Sequence, residues 1–347
     1  MSFEYFRPMI LVTGGTGLVG AHLLYKLLSK NEKVKAIYRT EESLQEVVSI
    51  FEDYSKEAAS LYKRITWVRG DITDVPSMEI AFKGVTQVYH SAAMISFNPA
   101  AWEFLKKTNV EGTANVVNLC LAYKVEKLCY VSSIAAIGKG AEKDMVTEEN
   151  EWVESETSVY ALSKHLAEIE VWRGSQEGLR VVMVNPGVIL GPGNWNQSSL
   201  KFFKRAANGM QRYIPGGTGF VVVTDVVSAM IKLMETTVYN ERFILVAGNI
   251  SFKELFTEIS RSFGIVPPAK QIPFWLLEAG WRLDWFSHYF LKTKRRLTRD
   301  TVNSLKKQQH YSSEKIIKTI DFEFSDLSEG IKTTCEYLRG RYPEAFR

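Results

Sequence analysis

The chain of 347 residues carries 43 basic and 39 acidic side chains, which leaves a formal net charge of only +4. This surplus attracts phosphorylated ligands at most and is typical of an ordinary solvated surface, so a nucleic-acid binder is not indicated. A hydrophobic fraction of 46% excludes a wholly disordered chain. Three cysteines without a CxxC pair, Cys120, Cys129 and Cys335, argue against a disulfide framework or a metal site and favour a reducing, cytoplasmic compartment.

Short β-branched runs alternate with longer periodic stretches in the first half, which predicts parallel strands joined by crossover helices. The six predicted strands are Met9–Thr13, Val34–Tyr38, Thr66–Arg69, Gln87–Ser91, Leu128–Ser132 and Val181–Asn185. The predicted helices are Leu18–Ser29, Glu41–Tyr62, Met78–Phe82, Phe104–Tyr123 and Val159–Gln176. We therefore predict an α/β fold with a doubly wound Rossmann sheet over residues 8–186 and sheet elements returning around 218–247.

Glycine and proline turns interrupt the alternation beyond Pro186, at Gly191–Asn194 and Pro215–Gly219. Residues 187–347 are predicted to form mostly a smaller C-terminal α/β lobe that binds the substrate. The polar segment Gly138–Thr157 is predicted to be a loop over the site. Aromatic residues of the second half are candidate pocket walls, with core packing as the alternative for each: Trp195, Phe202, Phe203, Phe220 and those between Phe274 and Phe290.

The most apolar stretch, Gln271–Leu291, contains Glu278, Arg282 and Asp284 and so lacks the roughly twenty uninterrupted apolar residues that cross a bilayer. No integral membrane segment is therefore predicted. Its aromatic residues precede a basic run at 292–296, a pattern that allows a helix lying on a membrane surface. A cap helix over an apolar pocket is the alternative that we favour.

A glycine-rich turn follows the first predicted strand directly and opens an apolar helix. Its glycines have the spacing of a dinucleotide-binding turn, in which the first permits the tight turn, the second lets backbone approach a pyrophosphate and the third allows close helix packing. The amides and the positive dipole at the start of the helix favour a phosphate. The candidate cofactor residues here are Thr13, Gly14, Gly15, Thr16, Gly17, Leu18, Val19 and Gly20.

Arg39 stands at the end of the second predicted strand, where an NAD site normally offers a carboxylate to the adenosine ribose. A guanidinium pairs with a 2′-phosphate through charge-assisted hydrogen bonds, so Arg39 favours NADP(H). Glu41 and Glu42 follow closely, and NAD(H) stays possible.

The pattern YxxxK occurs three times, at Tyr123 with Lys127, Tyr160 with Lys164, and Tyr311 with Lys315. Only the second pair lies in a predicted helix between two strands of the sheet, one turn apart on the same face. A free tyrosine, with a pKa of about 10, is a poor base at neutral pH. We expect the ammonium of Lys164, with an oxidised nicotinamide, to lower the pKa of Tyr160, and Tyr160 to act as the general acid in reduction.

Further motifs accompany the glycine turn in chain order: Gly70-Asp71-Ile72, His90-Ser91-Ala92-Ala93, Asn109-Val110-Glu111-Gly112-Thr113, Val131-Ser132-Ser133, Tyr160 with Lys164, and Asn185-Pro186-Gly187. Together they resemble the extended short-chain dehydrogenase/reductase family, within the NAD-dependent epimerase/dehydratase superfamily. Arg39, the turn Ser132–Ile134 and the segment Asn185–Gly193 are most similar to the branch that includes dihydroflavonol 4-reductase and 3β-hydroxysteroid dehydrogenase-type enzymes.

The resemblance implies an oxidoreductase with Ser133, Tyr160 and Lys164 as catalytic residues. In this scheme Ser133 orients the substrate oxygen, Lys164 also binds the nicotinamide ribose, and Asn109 braces the site. The resemblance also implies a homodimer, and it implies cofactor contacts by Asp71, Ile72, Ala92, Ala93, Pro186, Gly187 and Val188.

We therefore hypothesise an NADP(H)-dependent oxidoreductase that reduces a ketone or aldehyde, or oxidises a secondary alcohol, on a fairly apolar small molecule. One alternative is a nucleotide-sugar epimerase or dehydratase, in which cations of the second half clamp a diphosphate: Lys201, Lys204, Arg205 and Arg212. The other alternative is a regulator that binds NADP(H) without turnover.

Overall fold

A seven-stranded parallel sheet organises the computed structural model, which describes residues 8–55, 58–138, 145–153, 157–194, 199–291, 302 and 308–346. Its strands are β1 (Met9–Thr13), β2 (Lys33–Tyr38), β3 (Thr66–Arg69), β4 (Gln87–His90), β5 (Lys127–Val131), β7 (Arg180–Pro186) and β11 (Glu241–Leu245). Shorter strands make three small sheets: β6 (Met145–Val146), β8 (Val188–Leu190), β9 (Arg212–Tyr213), β10 (Gly217–Val222), β12 (Gly248–Ser251), β13 (Lys270–Gln271) and β14 (His310–Tyr311).

Helices connect these strands. In the described residues they are α1 (Leu18–Ser29), α2 (Glu42–Tyr54), α3 (Ala58–Tyr62), α4 (Val75–Phe82), α5 (Trp102–Leu105), α6 (Gly112–Ala122), α7 (Val159–Gln176), α8 (Leu200–Ala207), α9 (Val223–Glu235), α10 (Phe252–Ser262), α11 (Phe274–Leu291), α12 (Glu314–Ile320) and α13 (Leu327–Arg341). A π-helical segment, Lys106–Glu111, joins α5 to α6.

The strand order of the large sheet is β11-β7-β5-β4-β1-β2-β3, and every neighbouring pair is parallel. Connections run one way from β1 through β3 and the other way from β4 onward. The order therefore reverses between β1 and β4, and open α/β sheets bind ligands in the crevice at the carboxyl ends of such strands. The predicted Rossmann fold is confirmed.

Both faces of the large sheet are buried. Successive residues of a strand point to opposite faces, so Ile10 and Val12 pack into a core with α1 and α9, while Leu11 packs into a second core with α4, α6 and α7. All five residues of β5 are buried. Burial on both faces explains why these strands read as continuous apolar runs rather than as alternating ones.

Three predicted helices differ from the structure, one of them only in that α4 begins at Val75 rather than Met78. The predicted helix Glu41–Tyr62 breaks into α2 and α3, since Ser55 is extended with φ −167° and ψ 146°. The predicted helix Phe104–Tyr123 is divided by the π-helical segment. The sheet also has a seventh strand, β11, beside the six predicted; it falls within the range where sheet elements were expected to return.

The second half packs a smaller core beneath a three-stranded sheet of order β12-β10-β8, in which β10 is antiparallel to β12 and parallel to β8. Helices α8, α10 and α13 supply most of this core. Phe203 and Phe220 are fully buried in it, and Phe202 packs against Phe252 and Phe256. These phenylalanines are therefore core residues rather than pocket walls, and Trp195 lies outside the described residues.

Helix α11 covers most of the stretch considered for a membrane surface. Leu277 is buried, whereas Trp275 is 70% exposed and Leu283 is 69% exposed. Within the described ranges, no helix is both long enough and apolar enough to span a bilayer.

Candidate active site

The glycine turn lies at the carboxyl end of β1, beside the segment that follows β4. Gly14 has φ +69°, and a Cβ placed there would lie 2.6 Å from the backbone nitrogen of Ala92. A Cβ on Gly20 would lie 2.1 Å from the carbonyl oxygen of Gly14. Both positions therefore require glycine, the first for its left-handed backbone and the second because α1 starts directly against the turn.

The start of α1 suits a phosphate group. Gly17 is its N-cap, no side chain of the described chain caps it, and its first turn contains no acidic residue. An uncapped helix start leaves amide donors facing outward, with the positive end of the helix dipole behind them. The turn from Thr13 to Gly20 thus fits the pyrophosphate of a dinucleotide.

Arg39 lies just beyond β2, where its side chain is 72% exposed and its Nη1 is 3.9 Å from Oδ2 of Asp71. Asp71 Oδ1 accepts hydrogen bonds from the backbone and side chain of Thr73, both at 2.9 Å. Ile72 is buried instead, against Gly112 of α6. Arg39 and Asp71 therefore share one exposed edge of the crevice, while the Ile72 side chain belongs to the core.

Residues that follow β4 line the crevice next to the glycine turn. The amide of Ala92 donates to Thr13 Oγ1 over 3.4 Å, and Ala93 is exposed. Asn109 fixes the next residue, since Met94 N donates to Asn109 Oδ1 (2.7 Å) and Asn109 Nδ2 donates to Met94 O (2.9 Å). Asn109, which was predicted to brace the site, therefore holds the backbone of the segment after β4.

Ser133 and Tyr160 come together at the carboxyl edge of the sheet, from the end of β5 and the first turn of α7. Ser133 Oγ accepts the amide proton of Ala135 over 3.1 Å, so its own proton is available to another acceptor. Burial raises the pKa of Tyr160 to about 12, and the nearby hydroxyl of Ser133 works against that rise. The phenol is therefore protonated at neutral pH.

Lys164 is fully buried one turn after Tyr160, and its Nζ donates to Tyr130 Oη (2.7 Å) and to Val131 O (2.8 Å). Burial lowers the pKa of Lys164 to about 7, and the carboxylate of Glu168 opposes this. The Tyr160 pKa is raised by burial, whereas the sequence predicted that this ammonium would lower it. The ammonium donates to Tyr130 and to the backbone instead.

Buried polar side chains lie between Lys164 and the glycine turn. Lys164 Nζ donates to Tyr130 Oη, and the Tyr130 ring lies with its centroid 5.3 Å from that of His90. His90 Nε2 is 2.9 Å from Thr113 Oγ1, and His90 Nδ1 is 2.6 Å from Thr13 Oγ1. Burial lowers the pKa of His90 to about 3, so its ring is neutral. Thr13, which opens the glycine turn, is therefore joined by a hydrogen bond to the histidine that packs against the partner of Lys164.

Residues at the end of β7 and the start of β8 lie next to Ser133. Asn185 Nδ2 donates to Ser133 O (3.0 Å) and to Glu168 Oε1 (2.5 Å), which ties the end of β7 to the serine. Pro186 ends β7, Gly187 donates its amide proton to Leu245 O over 3.0 Å, and Val188 begins β8. The predicted residues 186–188 therefore lie at the carboxyl edge that also holds Ser133.

The predicted loop Gly138–Thr157 is described only at 138, 145–153 and 157. It includes the short strand β6, and its Glu148 carboxylate accepts the amide proton of Ile244 over 2.7 Å. Trp152 stacks on His165 of α7 with ring centroids 4.1 Å apart. This part of the segment is therefore held against β11 and α7.

The other two YxxxK pairs have structural contacts. Lys127 Nζ donates to the carbonyl oxygens of Leu233 (2.6 Å) and Thr236 (2.9 Å) at the end of α9. Lys315 Nζ is 2.6 Å from a carboxylate oxygen of Glu241. Both lysines brace the fold away from the glycine turn.

Sequence reasoning missed two aromatic residues of the site. Tyr130 looked like one more apolar residue of a buried strand, and its hydroxyl partner came from a helix 34 positions away. Phe97 lies in an irregular segment without a motif, yet its ring centroid is 5.5 Å from that of Tyr160. A lone aromatic residue in a loop directly after the HSAA motif was the only signal for Phe97.

Comparisons with known proteins agree with this geometry. Residues 10–246 match the NAD dependent epimerase/dehydratase family. A Synechocystis protein provisionally named as a dihydroflavonol 4-reductase is 29% identical over 277 residues, covering 76% of this chain and 75% of that protein. Sterol demethylase protein B of Methylococcus capsulatus is 28% identical over 271 residues, covering 76% of this chain and 77% of that protein.

The solved structure of gox2253 is similar at a TM-score of 0.81 and 26% sequence identity, and the match covers 96% of this chain and 99% of that one. The predicted resemblance is therefore confirmed from the fold as well as from the motifs. The chain belongs to the NAD dependent epimerase/dehydratase family, as an NAD(P)-dependent reductase or dehydrogenase of the extended short-chain type.

Proposed function

We propose that the protein reduces a ketone or aldehyde to an alcohol, and catalyses the reverse oxidation, on a fairly apolar small molecule with NADP(H) as the preferred cofactor. In this proposal residues 8–186 bind the dinucleotide and residues 187–347 supply most of the substrate lobe. The observation that carries it is the approach of the Ser133 hydroxyl to the phenol of Tyr160, close enough to work against the rise in the Tyr160 pKa, at the carboxyl edge of the sheet where the turn at Gly14 also lies.

Ser133 and Tyr160 have separate roles at the substrate oxygen. A bound nicotinamide dinucleotide supplies the hydride for the carbonyl carbon or accepts it in the reverse direction. Ser133 donates a hydrogen bond to the oxygen and fixes its orientation. Tyr160 gives its proton to the oxygen as negative charge develops there, so that the product is a neutral alcohol. Lys164, held by Tyr130 and Val131 O one helical turn after Tyr160, supplies positive charge to the site.

The pKa of about 12 for Tyr160 favours the reductive direction. A phenol that stays protonated at neutral pH is already in the form that a general acid needs. The oxidative direction needs the phenolate, which requires an added positive charge in the site to offset desolvation.

Replacing Tyr160 with Phe tests the proposal most directly. The change removes the proton donor while keeping the ring, and general acid catalysis contributes about 10²- to 10⁴-fold. We expect carbonyl reduction with NADPH to fall by that factor, with NADPH affinity preserved. Tyr311→Phe is the matched control, because Tyr311 belongs to another YxxxK pair and contacts Gln309.

The substrate panel contains aliphatic, aromatic and alicyclic carbonyls together with UDP-glucose. Conversion of UDP-glucose alone would support the epimerase or dehydratase alternative. Binding of NADPH without turnover of any panel member, with Tyr160→Phe unchanged in every measurement, would support the regulator and contradict the proposed reaction.

Preference for NADP(H) is a separate part of the proposal and depends on Arg39. Its guanidinium is 72% exposed and its ion pair with Asp71 is long at 3.9 Å, so a 2′-phosphate can replace or join that partner. We expect Arg39→Ala to weaken NADPH binding by roughly tenfold or more and NADH binding little. Fluorescence titration of both cofactors measures this. Arg180→Ala, at the amino end of the sheet, is the control, and a wild-type preference for NADH contradicts the assignment.

A further inference from the structure

The segment between β4 and α5 is fixed to the turn of α7 that carries Tyr160. Asn109 holds both backbone groups of Met94 and also donates to Ser163 Oγ over 3.0 Å. Ser163 Oγ in turn donates to the carbonyl oxygen of Tyr160 over 2.8 Å. Segment and catalytic tyrosine are therefore positioned by the same buried amide.

Two large apolar side chains of this fixed segment face solvent. Ile95 is 50% exposed and Phe97 is 54% exposed. Farther along, the Asn98 side chain accepts the amide proton of Ala100 over 3.2 Å, so the backbone after Phe97 is also held. Exposed apolar area in a fixed segment is unfavourable in water and becomes favourable once a ligand covers it.

Phe97 contacts the ring of the catalytic tyrosine rather than an unrelated surface. The two ring centroids are 5.5 Å apart at an interplanar angle of 65°, an edge-to-face arrangement. The hydroxyl of the same phenol is close enough to Ser133 for that serine to lower its pKa. A molecule whose oxygen lies at Ser133 and Tyr160 Oη therefore finds an apolar surface beside the same aromatic ring.

We propose that Ile95 and Phe97 form a substrate-binding surface for the ring portion of a carbonyl compound whose oxygen lies between Ser133 and Tyr160. This inference rests on the proposed function and names its substrate class: ketones or aldehydes attached to an aromatic or alicyclic skeleton. Met94 to Phe97 contain no charged side chain, so this surface favours a ring and offers a diphosphate nothing to pair with.

Substrate selectivity tests the proposal better than activity alone. The bicyclic ketone 2-tetralone and the ring-free ketone butanone are compared with NADPH as cofactor. We expect the wild type to prefer 2-tetralone in kcat/KM, and Phe97→Ser to lower that preference roughly tenfold or more while kcat/KM for butanone changes little. Phe97→Tyr keeps the ring and should keep the preference. Tyr239→Ser is the control, since Tyr239 is 50% exposed but contacts Arg180 at the amino end of the sheet.

Binding of 2-naphthol to the NADPH complex, measured by calorimetry, separates the two proposals. If the wild type turns over neither ketone but Phe97→Ser weakens 2-naphthol binding, the surface stands and the proposed reaction fails. If turnover is intact and Phe97→Ser lowers both ketones equally or neither, the surface is wrong. A change in sedimentation mass with unchanged selectivity would assign these side chains to contact with a second copy of the chain and would also overturn the proposal.

Discussion

Lys164 is a fully buried lysine whose charge depends on its hydrogen-bond partners. Its ammonium has lost water and retains two hydrogen-bond acceptors, Tyr130 Oη and Val131 O. Each acceptor stabilises the charged form against a burial that lowers its pKa to about 7. The lysine therefore stays at its position and close to half-charged at neutral pH, which makes it sensitive to the loss of either acceptor.

Tyr130→Phe removes one of these acceptors and keeps the buried ring. We expect the pKa of Lys164 to fall further, because the charged form loses a partner, so the alkaline limit of the pH–rate profile moves to lower pH. Hydrogen bonds to charged groups contribute about 1.5–3 kcal/mol, which predicts a loss in kcat/KM of roughly tenfold or more. Measuring kcat/KM for carbonyl reduction from pH 5 to 9 checks both effects.

Tyr89→Phe is the control for this substitution. Tyr89 is equally buried, on the neighbouring strand, but its ring packs into the core on the other face of the sheet. It should leave the pH profile in place whatever it does to stability. A Tyr130→Phe protein with an unshifted profile would reduce Tyr130 to an ordinary core residue.

At the scale of residues, motifs predicted Ser133, Tyr160 and Lys164 because the proposed roles are ones that only a few residue types can perform. Tyr130 and Phe97 had no such signature. Their importance comes from contacts with residues 34 and 63 positions away, and one sequence does not reveal such contacts. The direction of the Tyr160 pKa shift was missed for the same reason, since desolvation depends on the surrounding fold.

At the scale of elements, the sequence predicted β1, β3, α1 and α7 with the bounds that the structure has. These elements have buried faces on a regular period and clear starts, such as Gly17 before α1 and Ser158, whose side chain accepts the amide proton of Ala161, before α7. The π-helical segment Lys106–Glu111 was not predicted, because it inserts residues into a helical pattern without a sequence signal. That segment carries Asn109, which hydrogen-bonds to Met94 and Ser163.

The second half was predicted less well because its aromatic residues serve two purposes that composition does not distinguish. Phe203 and Phe220 fill the core below β10, whereas an exposed aromatic ring at the site, Phe97, belongs to the first half. Hydrophobicity is the same in both places. The packing of the surrounding helices and strands decides which aromatic ring is buried.

At the scale of the whole molecule, His22 of α1 connects the two halves of the chain. It is fully buried, with Nε2 2.8 Å from Pro192 O in the loop after β8 and Nδ1 2.6 Å from Tyr54 Oη. The same loop meets α1 where Gly193 approaches Leu18. Burial lowers the pKa of His22 to about 4 against the opposing effect of the Pro192 hydrogen bond, so the buried ring is neutral.

This link should weaken in acid. An unfolded histidine takes up a proton below a pKa of about 6.5, whereas His22 in the folded protein resists protonation until about pH 4. Between these values the unfolded chain binds more protons, so the free energy of unfolding falls as pH falls. At pH 5 the loss due to His22 alone is about 2 kcal/mol relative to pH 7.5. His90 acts with the same sign, and Glu168, whose pKa is raised by burial, acts with the opposite sign.

Comparison with His22→Gln isolates the contribution of His22, because His90 and Glu168 act equally in both proteins. Urea unfolding at pH 7.5 and pH 5.0 gives the change in the free energy of unfolding for each. We expect the wild type to lose about 2 kcal/mol more than the variant over this interval. An equal loss in both proteins would mean that His22 titrates alike in the folded and unfolded chain. In that case burial of His22 would not oppose its protonation, and the acid sensitivity of the fold would have to come from other buried groups whose pKa is lowered, such as His90 and Lys164.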